Sequence, residues 1–316
     1  MSKLKVASFF AGSGGIDVAF ELTKEYEIIY ANEFDSYPAS IYDLNHKVKT
    51  DIRDIHLVEP NEVPDCDVII GGFPCTSFSI AGYRKGFEDE RSGDLFFELA
   101  RIIKHKKPQI IFLENVKNLV GHDNGKTFSI IKDCLEDMGY HIKYQVLNAC
   151  EYGNIPQNRE RIYIVGFLNE NEYTNFEFPK PKKLTKKLSD IIDFENKVDD
   201  KYYYTDGRIA EELIKEVTDS NSVYQWRRQY VRKNQSGVVP TLTANMGTGG
   251  HNVPIVLTKY GVRKLTPRET FNTQGYPKSY KLPNNMCDGR LYKAAGNSVV
   301  VPVIKRIAEQ IINARK

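Results

Sequence analysis

A doubly wound α/β fold on a largely parallel sheet, with a second, smaller domain set into the later part of the chain, is what the 316-residue sequence predicts. Three observations carry this. Short apolar runs alternate with helix-spaced stretches over the first half, as strands and crossover helices do. The first run ends in Gly12-Ser13-Gly14-Gly15, and a helical stripe follows at once. Several later runs end in polar residues, at the strand ends where open sheets place ligands.

Composition narrows the class. Hydrophobic residues make up 41% of the chain, enough for a globular core. The net charge is +3, mildly basic and no proof of a nucleic-acid partner by itself. No apolar run approaches the length of a membrane span, and no signal peptide is evident, so a cytoplasmic protein with reduced thiols and no membrane partner is expected. Cys66, Cys75, Cys134, Cys150 and Cys287 form no CxxC pair, so no metal site is expected.

The elements follow in order. Residues 5–10 read as a buried strand, and Ile16, Val18, Ala19, Phe20 and Leu22 as the stripe of a helix. The glycines between them permit a tight turn and a close approach of backbone N–H groups to a ligand. Residues 27–31 form the next strand, ending at Asn32-Glu33, where an acid about twenty residues past a glycine turn is placed for ribose hydroxyls. The GxGxxG fingerprint is broken by Ile16-Asp17, which weakens a nicotinamide reading. A third short strand is expected before Thr50-Asp51-Ile52, and a fourth at Val68-Ile69-Ile70.

That fourth strand runs into Gly71-Gly72-Phe73-Pro74-Cys75, so a cysteine lies on a long loop with three glycines and three cations through residue 93. A lone cysteine is more often buried and inert. A helix over 95–103 stopped by Pro108, a strand at 110–113 ending in Glu114-Asn115-Val116, a helix near 127–138 with Gly139 as its C-cap, and strands at 142–147 and 162–167 complete the first part. Between the last two lies Gln157-Asn158-Arg159-Glu160-Arg161.

The character changes near residue 180. The expected division is 1–179 for a first domain, 180–260 for a smaller, polar and irregular one, and 261–316 for a return to the first. The middle segment holds Arg227, Arg228 and Arg232 among Trp226 and Tyr230, a mixture suited to phosphate and base contacts. It also holds Thr241-Leu242-Thr243-Ala244-Asn245 before a glycine run. After it, Thr266 is a predicted N-cap with Pro267 at the first helical position, and a last helix starts near Pro302.

A loop cysteine, a carboxylate on the next strand end, arginines beyond it and a nucleotide-like pocket fit nucleophilic attack on an electron-poor ring with proton delivery elsewhere on that ring. The thiol must act as thiolate, which nearby cations promote. The ordered series Phe10-Ala11-Gly12-Ser13-Gly14-Gly15, Asn32-Glu33, Asp51-Ile52, Phe73-Pro74-Cys75, Glu114-Asn115-Val116, Gln157 to Arg161, Arg263 to Glu269 and Gly296-Asn297-Ser298-Val299 resembles the bacterial DNA (cytosine-5)-methyltransferases over essentially the whole chain.

The resemblance implies a Rossmann-like methyltransferase sheet with a target-recognition domain at 180–260. Catalytic roles fall to Cys75, Glu114, Arg159 and Arg161. S-adenosylmethionine, with no metal, is implied to contact Phe10, Gly12, Gly14, Gly15, Glu33, Phe34, Asp51, Ile52, Pro74, Leu95, Asn297 and Ser298. Double-stranded DNA is implied to contact Ser79, Arg84, Lys85, Arg227, Arg228, Arg232, Thr241, Thr243 and Asn245. A monomer working on nucleoid DNA beside a cognate restriction endonuclease is the expected setting. Thr76 stands where the family usually carries Gln, so contacts around the target nucleotide are expected to differ. A transfer-RNA cytosine-5 methyltransferase is the alternative within the same chemistry; a separate recognition segment favours DNA, whose bases are read at their edges.

Overall fold

Runs of β-branched residues supply the central strands. In the computed structural model, which describes residues 2–74, 95–227, 229–234, 237–248 and 252–316, the strands of the first half are β1 (Leu4–Phe9), β2 (Tyr26–Asn32), β3 (Val68–Gly71), β4 (Ile110–Val116) and β5 (His141–Asn148), followed by β6 (Gln157–Asn158) and β7 (Glu160–Phe167). By contacts the chain falls into two units. The first is Met1–Leu147 with Glu160–Lys180 and Val303–Lys316; the second is Asn148–Arg159 with Pro181–Pro302. The second unit thus takes in residues 148–159 as well as 181–302, a division by contacts that differs from the sequence-based ranges.

The first unit holds a sheet in the order β2-β1-β3-β4-β7-β5. β1 pairs parallel with β2 and β3, and β3 with β4, while β7 runs antiparallel to β4. The sheet is therefore mixed at one side. A parallel crossover needs a dozen residues or more, usually a helix, and β7 follows β5 after only a short stretch. All of β3 is buried, as expected of a central strand covered on both faces. The third strand expected before Thr50 does not form. Asn32 and Asp51 make an isolated parallel bridge instead. The preceding residues Asn45-His46-Lys47-Val48-Lys49 offer a single apolar side chain, too little for a buried strand.

Helix Leu95–Lys106 buries Phe96, Leu99, Ala100, Ile102 and Ile103 on one stripe and ends in Lys104, His105 and Lys106, charges that suit a helix C-terminus. Helix Lys126–Asp137 ends in a Schellman motif. Tyr140 N–H donates to Leu135 O (3.2 Å) and Gly139 N–H to Glu136 O (2.8 Å), with Gly139 left-handed at φ 94°.

The second unit is more regular than its polar sequence suggests. Strands β8 (Tyr224–Arg227), β9 (Tyr230–Lys233), β11 (Ile255–Thr258) and β12 (Gly261–Lys264) form a sheet in the order β12-β11-β8-β9, while β10 (Val239–Pro240) pairs with β6. Two helices that local pattern did not reveal, Arg208–Glu216 and Asp288–Asn297, pack within it. Tyr224, Ile255 and Val262 pack on Leu213 and Val217, while Val256, on the opposite face of β11, is buried in a second cluster with Val223, Val253 and Leu265. Helix Pro267–Thr273 starts as predicted, with a capping box in which Glu269 N–H donates to Thr266 Oγ1 (3.3 Å) and Thr266 N–H to Glu269 Oε2 (2.8 Å).

Candidate active site

Sheet register builds the catalytic pair. Across β4 and β7, Glu114 lies opposite Tyr163 and Val116 opposite Arg161. Residues two apart on a strand share a face, so Glu114 and Arg161 are diagonal neighbours on one face. Arg161 Nε lies 3.2 Å from Glu114 Oε1, and Arg161 also donates to the Glu160 carbonyl (2.8 Å). The carboxylate is only 8% exposed, so the pair interacts in a poorly screened setting.

The same strand end grips the chain entering the cysteine loop. Asn115 Nδ2 donates to the Phe73 carbonyl at 2.8 Å. Glu114 Oε2 sits over Gly72, where an added β-carbon would come within 3.4 Å of it. The carboxylate is thus fixed against the backbone two residues before Pro74, the last described residue of this segment. Cys75, Ser79, Arg84 and Lys85 lie outside the described residues, as does Arg228. Asn115 was visible in the sequence only as part of a motif; its grip on Phe73 depends on β3 and β4 being adjacent.

The glycine turn lies between β1 and helix Gly15–Glu21. Phe10, Gly12 and Gly14 adopt φ of 53°, 56° and 72°, and Gly14 N–H closes the turn on the Ala11 carbonyl at 2.8 Å. Glu33, at the end of β2, accepts Gly12 N–H on Oε2 (2.8 Å) and Asp35 N–H on Oε1 (2.8 Å). A carboxylate accepts at several sites, so these bonds are compatible with ribose hydroxyls there. The Asn32–Asp51 bridge sets the segments carrying Phe34 and Ile52 side by side, and these apolar side chains are 69% and 51% exposed. A flat aromatic ring suits such a surface.

Asp51 is more committed than its motif suggested. Arg53 forks onto it, Nε to Oδ1 at 2.9 Å and Nη2 to Oδ2 at 2.7 Å, and Tyr30 Oη donates to Oδ2 at 2.8 Å. The Arg53 hydrogen bond is the main cause holding the Asp51 carboxyl below the usual range. Leu95 opens its helix and is half-buried.

Arg159 and Arg161, two residues apart in sequence, belong to different units. Arg159 is buried in the second unit, where Nη1 donates to the Leu242 carbonyl (2.6 Å) and Nη2 to those of Gly296 (3.2 Å) and Ser298. Gln274 Nε2 donates to the Ala295 carbonyl (2.6 Å), and Tyr276 Oη shares a 2.6 Å hydrogen bond with Ser298 Oγ. Arg159 therefore braces backbone in this structure, and Gln274 and Tyr276, which no motif marked, hold the same stretch at Ala295 and Ser298. Asn297 beside them is exposed.

Helix Asp288–Asn297 meets the turn at 244–247 backbone to backbone. A β-carbon at Gly296 would lie 2.2 Å from the Thr243 carbonyl carbon and oxygen. Backbone cannot step aside as a flexible side chain can, so Gly296→Ala is expected to destabilise the second unit by about 1–3 kcal/mol, read from the urea midpoint. The contact leaves Leu242 and Met246 buried and Thr243 and Asn245 exposed. On the hairpin, Tyr224, Trp226 and Val231 face apolar packing. The register sets Arg227 opposite Tyr230 and Gln225 opposite Arg232 on the other face.

A glycine turn after the first strand, an acid after the second and a carboxylate–arginine pair on the fourth and seventh define the class, an α/β methyltransferase. The chain matches the C-5 cytosine-specific DNA methylase family over residues 4–313 and belongs to that family. It is thus a DNA cytosine-5 methyltransferase, and membership implies the use of S-adenosylmethionine. It is 61% identical over 310 residues to the type II methyltransferase M.Bsp6I of a Bacillus species, covering 98% of each chain. To M.HhaI of Haemophilus parahaemolyticus it is 38% identical, covering 98% of this chain and 95% of that one. Among solved structures, a Spodoptera frugiperda DNMT2 mutant shares the fold with a TM-score of 0.75 at 21% identity, covering 98% of this chain and all of that one. No helix among the described residues is long and apolar enough to cross a membrane.

Proposed function

We propose that this chain is the methyltransferase of a type II restriction–modification pair. It methylates carbon 5 of one cytosine within a specific double-stranded DNA sequence, acting as a monomer in the bacterial cytoplasm. The observation that carries the reading is the buried Glu114–Arg161 pair, held against the backbone that leads into Pro74-Cys75.

The target cytosine leaves the duplex at a cost on the order of a few kcal/mol. The Cys75 thiolate attacks carbon 6. Glu114 hydrogen-bonds ring nitrogen 3 and the exocyclic amine, drawing charge from the ring as the bond forms, and Arg161 holds the carbonyl oxygen. Carbon 5 becomes nucleophilic and takes the methyl group from the sulfonium of S-adenosylmethionine, which leaves as S-adenosylhomocysteine. Loss of the carbon 5 proton to a solvent base and breaking of the carbon 6–sulfur bond re-form the 5,6 double bond, returning the Cys75 thiolate and releasing 5-methylcytosine. Gly12, Gly14, Gly15, Glu33, Phe34 and Ile52 hold the donor. In the second unit, residues 224–248, including Arg227, Arg232, Thr241, Thr243 and Asn245, read the DNA.

Transfer of labelled methyl from S-adenosylmethionine to genomic DNA and to total RNA, beside Cys75→Ser, tests this. Label is expected as 5-methylcytosine in DNA, at one sequence by bisulfite sequencing, and absent with Cys75→Ser. Label confined to RNA, or kept by Cys75→Ser, contradicts the reading.

A further inference from the structure

A buried polar cluster lies directly behind the glycine turn, and the mechanism above does not use it. Asp17, on helix Gly15–Glu21, is fully buried and accepts hydrogen bonds from Ser8 Oγ of β1 (3.0 Å) and from Tyr42 Oη (3.0 Å). Tyr42, on helix Ser36–Asp43, stacks on His46, with ring centroids 4.0 Å apart and planes at 22°. The imidazole is buried too, and its Nδ1 lies 3.0 Å from Glu21 Oε2. The opposite edge of the ring meets the turn. A β-carbon at Gly14 would lie 2.3 Å from His46 Nε2 and 3.0 Å from Tyr42 Cδ2.

Burying these groups is costly, since a polar side chain taken out of water gains little unless every bond is made. Burial pushes the Asp17 carboxyl up from its ordinary range, and the facing His46 opposes that rise. Apolar side chains would fill the same space at lower cost. What the cluster adds is shape. Two flat rings, one hydrogen-bonded to Asp17 and the other held within 3.0 Å of the Glu21 carboxylate, form a floor against which a β-carbon at the left-handed Gly14 would clash.

We propose that His46 is a positioning residue for the methyl donor: its ring, stacked on Tyr42 and fixed by Glu21, is the template that holds the turn at 11–15 in its ligand-binding shape. The inference rests on the reading that this turn binds S-adenosylmethionine. It assigns the shape of the turn to a buried side chain behind it.

The test compares the parent with His46→Ala, His46→Phe, Gly14→Ala and the double variant Gly14→Ala/His46→Ala. Calorimetric titration with S-adenosylmethionine and with S-adenosylhomocysteine is followed by steady-state methyl transfer. His46→Ala is expected to raise Kd for both ligands and KM for the donor about tenfold, while kcat at saturating donor and Kd for DNA stay within about twofold. His46→Phe keeps a ring on Tyr42 and is expected to recover most of the affinity. Removing the ring opens space for the new β-carbon, so Gly14→Ala is expected to cost less in the His46→Ala background than in the parent. Unchanged donor affinity in His46→Ala, equal losses in kcat and KM, or a strictly additive cycle overturns the inference while the parent binds normally. A parent that binds neither ligand overturns the cofactor reading itself.

Discussion

Glu114→Gln is expected to lower methyl transfer by about 10²–10⁴-fold, the range for loss of a positioned proton donor or acceptor. Glutamine has nearly the same shape, so β4 and its pairing with β7 should survive, as should DNA binding. What disappears is the charge beside Arg161, 3.2 Å away, and the ability to hold a proton toward ring nitrogen 3. An amide can still donate a hydrogen bond to that nitrogen, but it cannot give up a proton as the ring takes on charge. Single-turnover transfer on prebound DNA separates the chemical step from binding. A rate within about tenfold of the parent would remove Glu114 from the chemistry.

The second large effect is on stability. Arg263 is fully buried and forks onto Glu269, Nη2 to Oε1 at 2.7 Å and Nη1 to Oε2 at 2.8 Å. The guanidinium also donates to the Asp193 carbonyl (2.6 Å), and the carboxylate accepts Asp193 N–H (2.8 Å) and Thr266 N–H (2.8 Å). One pair thus ties β12, the start of helix Pro267–Thr273 and the segment at 193 together within the second unit. Removing either partner strands a buried charge, so Arg263→Met or Glu269→Leu is expected to cost about 3–5 kcal/mol. The double substitution, which leaves no charge behind, is expected to recover part of that loss. Urea midpoints of the four proteins decide it. A single substitution costing under about 1 kcal/mol would mean that water reaches the pair.

Much of the first unit is legible in the chain. Val68-Ile69-Ile70 can hardly be other than a buried strand, and Gly139 ends a helix because it accepts a left-handed backbone; in the second unit, Thr266-Pro267 starts one. These signals are local: each depends on residues within a few positions. The strand expected before Thr50 failed for the converse reason, since a polar stretch with one valine gained only a single bridge to Asn32. The second unit hid its sheet because its strands are only four residues long and interleave apolar residues with Gln225, Arg227, Arg232 and Arg263, and it hid helix Asp288–Asn297 because the small residues Ala294, Ala295 and Gly296 make up much of what it buries beside Leu291 and Tyr292.

By itself, then, the sequence determined the glycine turn, the strand ends that carry Glu33 and Glu114, and the order of motifs that names the chemistry. Only the tertiary structure decided that Arg161 would stand beside Glu114 while Arg159, two residues earlier, would brace the carbonyls of Leu242, Gly296 and Ser298. It also decided that His46 would lie under Gly14. Alternation along a strand tells which side chains share a face but not which strand arrives next to it. Partners are chosen by register and packing between segments far apart in the chain, which no local pattern records.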